Sequence, residues 1–188
     1  MNDSPPPYRT LCLGNIFCLH ITVLGMLLFA LQFHLGEFIV SDDVIVGLNY
    51  FCLQIETTRE MACYSEWKIN EFSFTVAAIF TARVCTYTPI VLCLFALLAF
   101  LMYIYTKEKS VWSLFVVMVG LSDFLLLVGI TSFLGASWHY VYVSKLSLSF
   151  FLCICAWFLL GTETIASWKL WCDNISGSNT AKRQLKQM

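Results

Sequence analysis

The sequence predicts an all-α membrane protein. It is a four-helix transmembrane bundle with a small antiparallel β-sheet, pinned by a disulfide, in the first extracellular loop. Three observations lead there. Of the 188 residues, 59% are hydrophobic and 12% are charged, whereas a soluble domain carries about 25% charge. The mean hydropathy is +0.76. The apolar residues fall into four long runs, and about 20 such residues in a helix cross a bilayer core. A disordered chain and a nucleic-acid binder are excluded by this composition.

Each apolar run predicts one transmembrane helix, because backbone groups in lipid must be satisfied within the segment. The first run has an alternative interpretation as a cleaved signal peptide. Its apolar stretch exceeds the usual 7–15 residues and no small-x-small cleavage site follows it, so an uncleaved span is favoured. The second run contains Arg83 and Pro89. The predicted spans are 11–33, 76–104, 111–135 and 146–168.

The distribution of Lys and Arg near the span ends predicts the orientation, because cytosolic ends carry the excess. One side has seven such residues and the other has three. The segments 1–10, 105–110 and 169–188 are therefore expected in the cytosol, the last as a flexible tail. The segments 34–75 and 136–145 are expected outside, in a multi-pass protein of the plasma membrane. The seven are Arg9, Lys107, Lys109, Lys169, Lys182, Arg183 and Lys186.

The long outer loop has the pattern of short β-strands. Branched and aromatic residues alternate with short polar breaks, which is typical of antiparallel strands. Three strands are predicted: one at 38–40, one that runs from 44–46 into 50–53, and one at 61–67.

The same loop contains two of the nine cysteines, Cys52 and Cys63. The outer compartment is oxidising, and two cysteines allow only one intrachain pairing. We therefore expect a disulfide, which in the chain-entropy model stabilises a loop of this length by roughly 2–3 kcal/mol. Two free thiols are the alternative.

The motif around these cysteines resembles a known signature. Gly47 and Leu48, then Cys52 and Cys63, are similar to the G-L-W-x-x-C…C pattern of the claudin and peripheral myelin protein tetraspans. Asn49 stands where that pattern has tryptophan. The resemblance implies cytosolic termini, four spans and a role in adhesion or lateral membrane assembly through the first extracellular loop. The chain does not end in the Tyr-Val of junctional claudins, which disfavours a tight-junction role.

Two charged residues lie within predicted spans, where a charge costs at least about 2.5–3.5 kcal/mol at the bilayer centre. Arg83 and Asp123 are on adjacent spans, and we expect either a charge pair between them or docking of a partner protein. The alternative is that Arg83 reaches the outer interface while Asp123 is protonated or bonded to Ser122 or Thr131.

Other polar residues of the spans have simpler interpretations. His20 is expected to make a helix–helix hydrogen bond. Glu163 is expected to reach water at the inner end. His34 and His139 lie near the outer face and offer at most a weak metal or pH site.

No catalytic motif is found: the sequence has no H-E-x-x-H, no Gly-rich phosphate loop and no G-x-S-x-G. We therefore expect no enzyme, no cofactor, no metal and no small-molecule substrate. Cys12 and Cys172 lie next to the membrane, and we interpret them as either palmitoylation sites or free thiols.

Two functions remain. One is a membrane organiser acting through the outer loop. The other is an accessory subunit of a larger channel or receptor. The expected partners are the lipid bilayer and other membrane proteins, as a homo-oligomer or as channel or receptor subunits.

Overall fold

The computed structural model describes residues 7–33, 36–41, 44–54, 61–65, 76–137 and 145–185. Within these residues, four helical segments are long and apolar enough to cross a membrane, which confirms the four-span architecture. The helices are α1 (Pro7–Leu28, continued by a π-helical turn at Phe29–Phe33), α2 (Val76–Thr106), α3 (Lys109–Ala136) and α4 (Leu148–Leu185).

The helix ends differ from the predicted boundaries. The helix α1 begins at Pro7, where the fixed φ of proline suits the first helical position. Only Lys107 and Glu108 separate α2 from α3, so the turn is shorter than the six residues expected. Lys107 takes a left-handed φ of 55°, and its N–H donates to the Tyr103 carbonyl, which closes α2. The helix α4 runs to Leu185, well past residue 168 and through most of the segment expected to be flexible.

Two of the helices, α2 and α3, pack along a seam of buried residues spaced alternately three and four apart. This spacing keeps one face of each helix on its partner, as in an antiparallel coiled coil. Facing aromatic rings show how the two helices are aligned. The ring centres of Phe100 and Phe115 are 5.3 Å apart, and those of Tyr103 and Trp112 are 4.8 Å apart. The seam residues are Ala82, Thr86, Pro89, Cys93, Ala96, Phe100 and Tyr103 on α2, and Trp112, Phe115, Val119, Ser122, Leu126, Gly129 and Phe133 on α3.

Gly129 allows the closest approach along this seam. A Cβ atom there would lie 2.5 Å from Thr86 Oγ1, 3.0 Å from the Thr86 backbone nitrogen and 3.1 Å from the Cys85 carbonyl carbon. Since two of these atoms belong to the backbone, a rotamer change cannot relieve the clash. We expect Gly129→Ala to lower the free energy of unfolding by about 1–3 kcal/mol. The same change at Gly135, where a Cβ would meet nothing within 4 Å, should not be destabilising, and unfolding in detergent compares the two.

Four strands form one antiparallel sheet in the order β1 (Glu37–Val40), β2 (Val44–Gly47), β3 (Tyr50–Gln54) and β4 (Met61–Ser65). The three predicted strands are confirmed, except that the second is divided at Leu48 and Asn49 into β2 and β3. Positions 66 and 67 of the third lie outside the described residues. Cys52 of β3 is directly opposite Cys63 of β4, and the two are joined by a disulfide, as expected.

The first strand attaches the sheet to the end of the bundle. The ring of Phe38 lies edge-on to Phe133 of α3 at 4.8 Å and to Phe150 of α4 at 5.6 Å. The Ser147 N–H donates to the Phe38 carbonyl over 2.9 Å, and the Ser147 hydroxyl donates to the Glu37 carbonyl. Because β1 is held by both ring packing and backbone hydrogen bonds, the sheet has a fixed position at this end of the bundle.

Candidate functional site

Among the described residues, the sheet has one edge attached to the bundle and one edge without a further strand. β1 is fixed to α3 and α4, whereas β4, at the opposite edge, pairs only with β3 among the strands that the structure describes. An edge strand presents backbone N–H and C=O groups that can pair with a strand of another chain. The sheet is therefore built to hold one edge rigidly and to present the other.

The backbone groups that point outward from β4 follow from the register. In an antiparallel pair, opposed residues with closely spaced Cα atoms are the ones that do not exchange hydrogen bonds. The Cα atoms of Cys52 and Cys63 are 4.0 Å apart, so Cys63 belongs to such a pair. Its N–H and C=O then point away from β3, together with those of Met61 and Ser65, while the intervening Ala62 and Tyr64 form the ladder.

The signature turn before β3 attaches to the bundle. Gly47 and Leu48 are buried, and the Leu48 N–H donates to the Gly36 carbonyl over 3.1 Å. Asn49, in the position of the signature tryptophan, donates from Nδ2 to the Tyr87 hydroxyl of α2 over 2.9 Å. This chain therefore makes a polar contact to the bundle at the position where the signature has a tryptophan. Arg83, Tyr87 and Asn49 also line a shallow groove of about 520 Å³.

A second polar contact ties β3 to β1. The Tyr50 hydroxyl donates to the Glu37 carboxylate. Burial raises the pKa of Tyr50, and the hydrogen bond and negative charge of Glu37 raise it further, to about 12. Each of these effects favours the protonated phenol, so the contact is present at neutral pH.

The raised pKa makes this contact sensitive to alkaline pH. The stability that it contributes is complete below the unfolded-state pKa of 10 and is lost as the pH rises through about 12. Subtracting the phenolate absorbance of Tyr50→Phe from that of the wild-type protein isolates Tyr50. We expect this difference to titrate with a midpoint near pH 12. A midpoint near 10 in this difference titration would show that Glu37 does not hold the phenol.

A polar layer of four residues crosses the centre of the bundle, one residue from each helix: His20, Cys93, Ser122 and Glu163. Exposure is 1% for His20 and 0% for Glu163. His20 Nδ1 lies 2.8 Å from Glu163 Oε1, and His20 Nε2 lies 2.9 Å from the Cys93 carbonyl oxygen. The helix–helix hydrogen bond expected of His20 is confirmed.

The geometry fixes the number of protons in this pair. A carbonyl oxygen only accepts, so His20 Nε2 carries a proton and donates to Cys93. One further proton must lie between Nδ1 and Oε1, because two bare acceptors would repel. The His20–Glu163 pair therefore carries no net charge. This is expected, because a net charge buried at the centre of a membrane bundle is strongly unfavourable.

The expectation that Glu163 reaches water at the inner end was wrong. The helix α4 begins at Leu148 and its apolar segment continues to Cys172, so Glu163 lies level with the middle of α3. Its Oε2 atom is buried without a hydrogen-bond partner. No sequence signal places it opposite His20, because the axial offset between helices is set by packing.

The structure does not bring Arg83 and Asp123 together. Thr86 faces Gly129 in the α2–α3 seam, so the α2 position level with Asp123 is about 92, nine residues from Arg83. At 1.5 Å per residue this is about 13 Å along the helix axes, beyond the reach of an arginine side chain. Asp123 instead lies against Gly161 of α4. The alternative bonds from Asp123 to Ser122 or Thr131 are not formed either, since those hydroxyls donate to backbone carbonyls of their own helix.

The remaining candidate residues stay predictions. Cys12 and Cys172 have free thiols, the first partly buried and the second exposed, which leaves palmitoylation open. His34 and His139 lie outside the described residues.

The chain has four apolar helices, and the segment between α1 and α2 forms a β-sheet. This arrangement defines a four-span, multi-pass membrane protein. A model of the TM140 protein family matches residues 7–169, which include the sheet and nearly all of the four spans. The chain therefore belongs to the TM140 protein family, a family of transmembrane proteins.

Proposed function

We propose that the protein is a non-enzymatic organiser of membrane assembly that acts through the open edge of its sheet. The observation that carries this is the asymmetry of the sheet: β1 is fixed to the bundle by Phe38 and Ser147, and β4 is the opposite edge of the sheet that the described residues form. Strand addition at such an edge supplies affinity through main-chain hydrogen bonds. Partners of this kind are a second copy or another membrane protein, and the role needs no cofactor, metal or small-molecule substrate.

We also propose that the sheet faces outside the plasma membrane and that both termini are cytosolic. The excess of Lys and Arg at the other end of the bundle supports this orientation. A disulfide between Cys52 and Cys63 fits an oxidising compartment. The turn at Gly47 and Leu48 with this disulfide further supports a distant relation to the claudin and peripheral myelin protein tetraspans.

Epitope tags test the orientation. Tags before residue 1 and after residue 188 should be stained only in permeabilised cells, because both ends lie on the Lys- and Arg-rich side. A tag stained on intact cells at either end would reverse the proposed topology.

Changes at β4 test the assembly role. Met61 is 39% exposed, and its N–H points outward, so Met61→Pro removes an edge donor without breaking the ladder to β3. Met61→Lys adds a charge that opposes edge pairing. The matched control is Val40→Lys, because Val40 is 43% exposed but lies in β1, at the attached side. Single-molecule photobleaching in membranes, together with a cell-aggregation assay, measures assembly.

We expect both Met61 variants to shift the protein towards monomers or to reduce cell aggregation, and Val40→Lys to do neither. Loss of photobleaching steps indicates lateral assembly, and loss of aggregation indicates adhesion. Equal behaviour of all three variants and the wild-type protein in both assays would reject the edge of β4 as the assembly surface.

A second role, as an accessory subunit of a channel or receptor complex, is favoured by a different observation. Asp123 lies in the middle of α3, and its Oδ1 atom is buried without a hydrogen-bond partner. An unpartnered carboxylate at this depth calls for an explanation. Because the Asp123 side chain is only partly buried, a missing subunit that contacts its exposed part supplies one. A pull-down in mild detergent tests this role: a stoichiometric foreign membrane protein supports it, and a homo-oligomer alone contradicts it.

A further inference from the structure

Asp123 is an acidic residue at a depth where a negative charge is unfavourable, and no side chain among the described residues pairs with it. It is at the centre of α3, where a carboxylate is costly to place within the bilayer. Glu163, at a similar depth, meets His20, whereas Asp123 Oδ1 meets no hydrogen-bond partner. The side chain of Asp123 is only partly buried, so it can be reached from outside the bundle.

Asp123 lies among partly exposed small residues where α3 meets α4, and we call the surface formed by Gly120, Asp123, Gly161 and Thr164 the α3–α4 groove. A Cβ atom at Gly161 would lie 3.8 and 3.9 Å from the two carboxylate oxygens, so glycine leaves the space beside them open. One turn away, Gly120 packs on Thr164, with 3.6 Å from its Cβ position to Thr164 Cγ2. Small residues at this depth let a further helix approach closely.

Large apolar side chains form the walls of the α3–α4 groove. Helical spacing places Val117 and Phe124 beside Asp123 and Gly120 on α3, and Phe158 and Ile165 beside Gly161 on α4. All four are exposed, at 60, 61, 60 and 71%, respectively. The groove therefore has an acidic floor and apolar walls, which complement an apolar helix with one basic residue.

We infer that the α3–α4 groove docks a transmembrane helix of a partner protein, and that a Lys or Arg near the middle of that helix pairs with Asp123. This inference rests on the proposed accessory-subunit role and names the chemistry of the partner. Charge complementarity selects this occupant, since a paired intramembrane charge is far less costly than a stranded one.

A second copy of this chain is a poorer occupant. At the depth of Asp123, the other acidic or basic side chains of the described spans are His20 and Glu163, which are buried in the core. Of the Lys and Arg residues in the described spans, Arg83 lies about 13 Å nearer the sheet, and Lys109 and Lys169 lie at the opposite end of the bundle. A copy docked on the groove would therefore bring no cation to this carboxylate.

Model helices in vesicles test the inference on the full chain. Two synthetic leucine-rich single-span helices, one with a central Lys and one with a central Leu, are added to the protein in phosphatidylcholine vesicles. Association is followed by energy transfer between fluorophores. We expect the Lys helix to bind about tenfold more tightly than the Leu helix, in line with a polar contact between helices. Asp123→Asn should remove this preference, and Gly161→Leu, which fills the groove, should weaken binding of both helices.

Charge reversal and a matched control keep the test independent of folding. Asp123→Lys should prefer a helix with a central Asp, a gain that a misfolded variant would not show. Glu108→Gln removes an exposed carboxylate from the α2–α3 turn and should leave the preference unchanged. Equal binding of the Lys and Leu helices to the wild-type protein would overturn the inference. A native subunit that is recovered equally well with Asp123→Asn would also overturn it, while leaving the accessory role intact.

Discussion

Replacing His20 with leucine should destabilise the bundle more than any other single change in a span. Both carboxylate oxygens of Glu163 would then be buried without a partner, since Oε2 already has none. Breaking a buried pair on one side costs about 3–5 kcal/mol in proteins. We expect the free energy of unfolding in detergent to fall by about 3 kcal/mol, with a matching loss of folded protein at the cell surface.

Two further variants separate the pair from general packing. Glu163→Gln keeps a hydrogen-bond donor for His20 Nδ1, whereas Glu163→Leu leaves that nitrogen without a partner. We therefore expect the free energy of unfolding to fall much less in Glu163→Gln than in Glu163→Leu. The double variant His20→Leu with Glu163→Leu should recover part of the loss, because an absent pair costs less than a stranded polar group. Strict additivity of the two leucine changes would contradict direct coupling between these side chains.

Breaking the disulfide should have the second large effect. Cys52→Ser and Cys63→Ser each remove the covalent link between β3 and β4, and β4 is the strand farthest from the attached side of the sheet. The chain-entropy model gives a loss of roughly 2–3 kcal/mol for a loop of this length. We expect each variant to be retained in the endoplasmic reticulum, as measured by surface biotinylation.

The double serine variant should be no worse than either single variant, since the second change removes nothing further. The matched control is Cys155→Ser, because Cys155 is a free, exposed cysteine of α4. Surface levels of the two single variants equal to that of Cys155→Ser would show that the disulfide does not support the sheet. Mass spectrometry without reduction should recover Cys52 and Cys63 as one linked pair of peptides.

The elements were predictable from the sequence because each leaves a local signal. Long apolar runs give four helices whatever their neighbours are. The alternation of branched and aromatic residues around Asp42 and Asp43 gives short strands, and Cys52 and Cys63 are the two cysteines of that loop. These signals need no knowledge of how the helices are arranged.

The contacts between helices were not predictable in the same way. A pair between Arg83 and Asp123 was one expected arrangement, and contact with water was expected for Glu163, because depth was counted from the ends of the apolar runs. The true depth depends on the axial offset of each helix. The short α2–α3 turn sets one offset, and the attachment of Ser147 to β1 sets another. The heptad spacing on α2 and α3 was present in the sequence and could have given their register.

Crosslinking at the edge of the sheet is the most direct test of the central claim that the protein assembles through β4. A photoreactive amino acid is placed at Met61 of the full chain in native membranes, with Val40 as the matched position at the attached side. The claim predicts that illumination joins position 61, and not position 40, to a second copy or to another membrane protein. Adducts at position 40 alone, or at neither position, would contradict it.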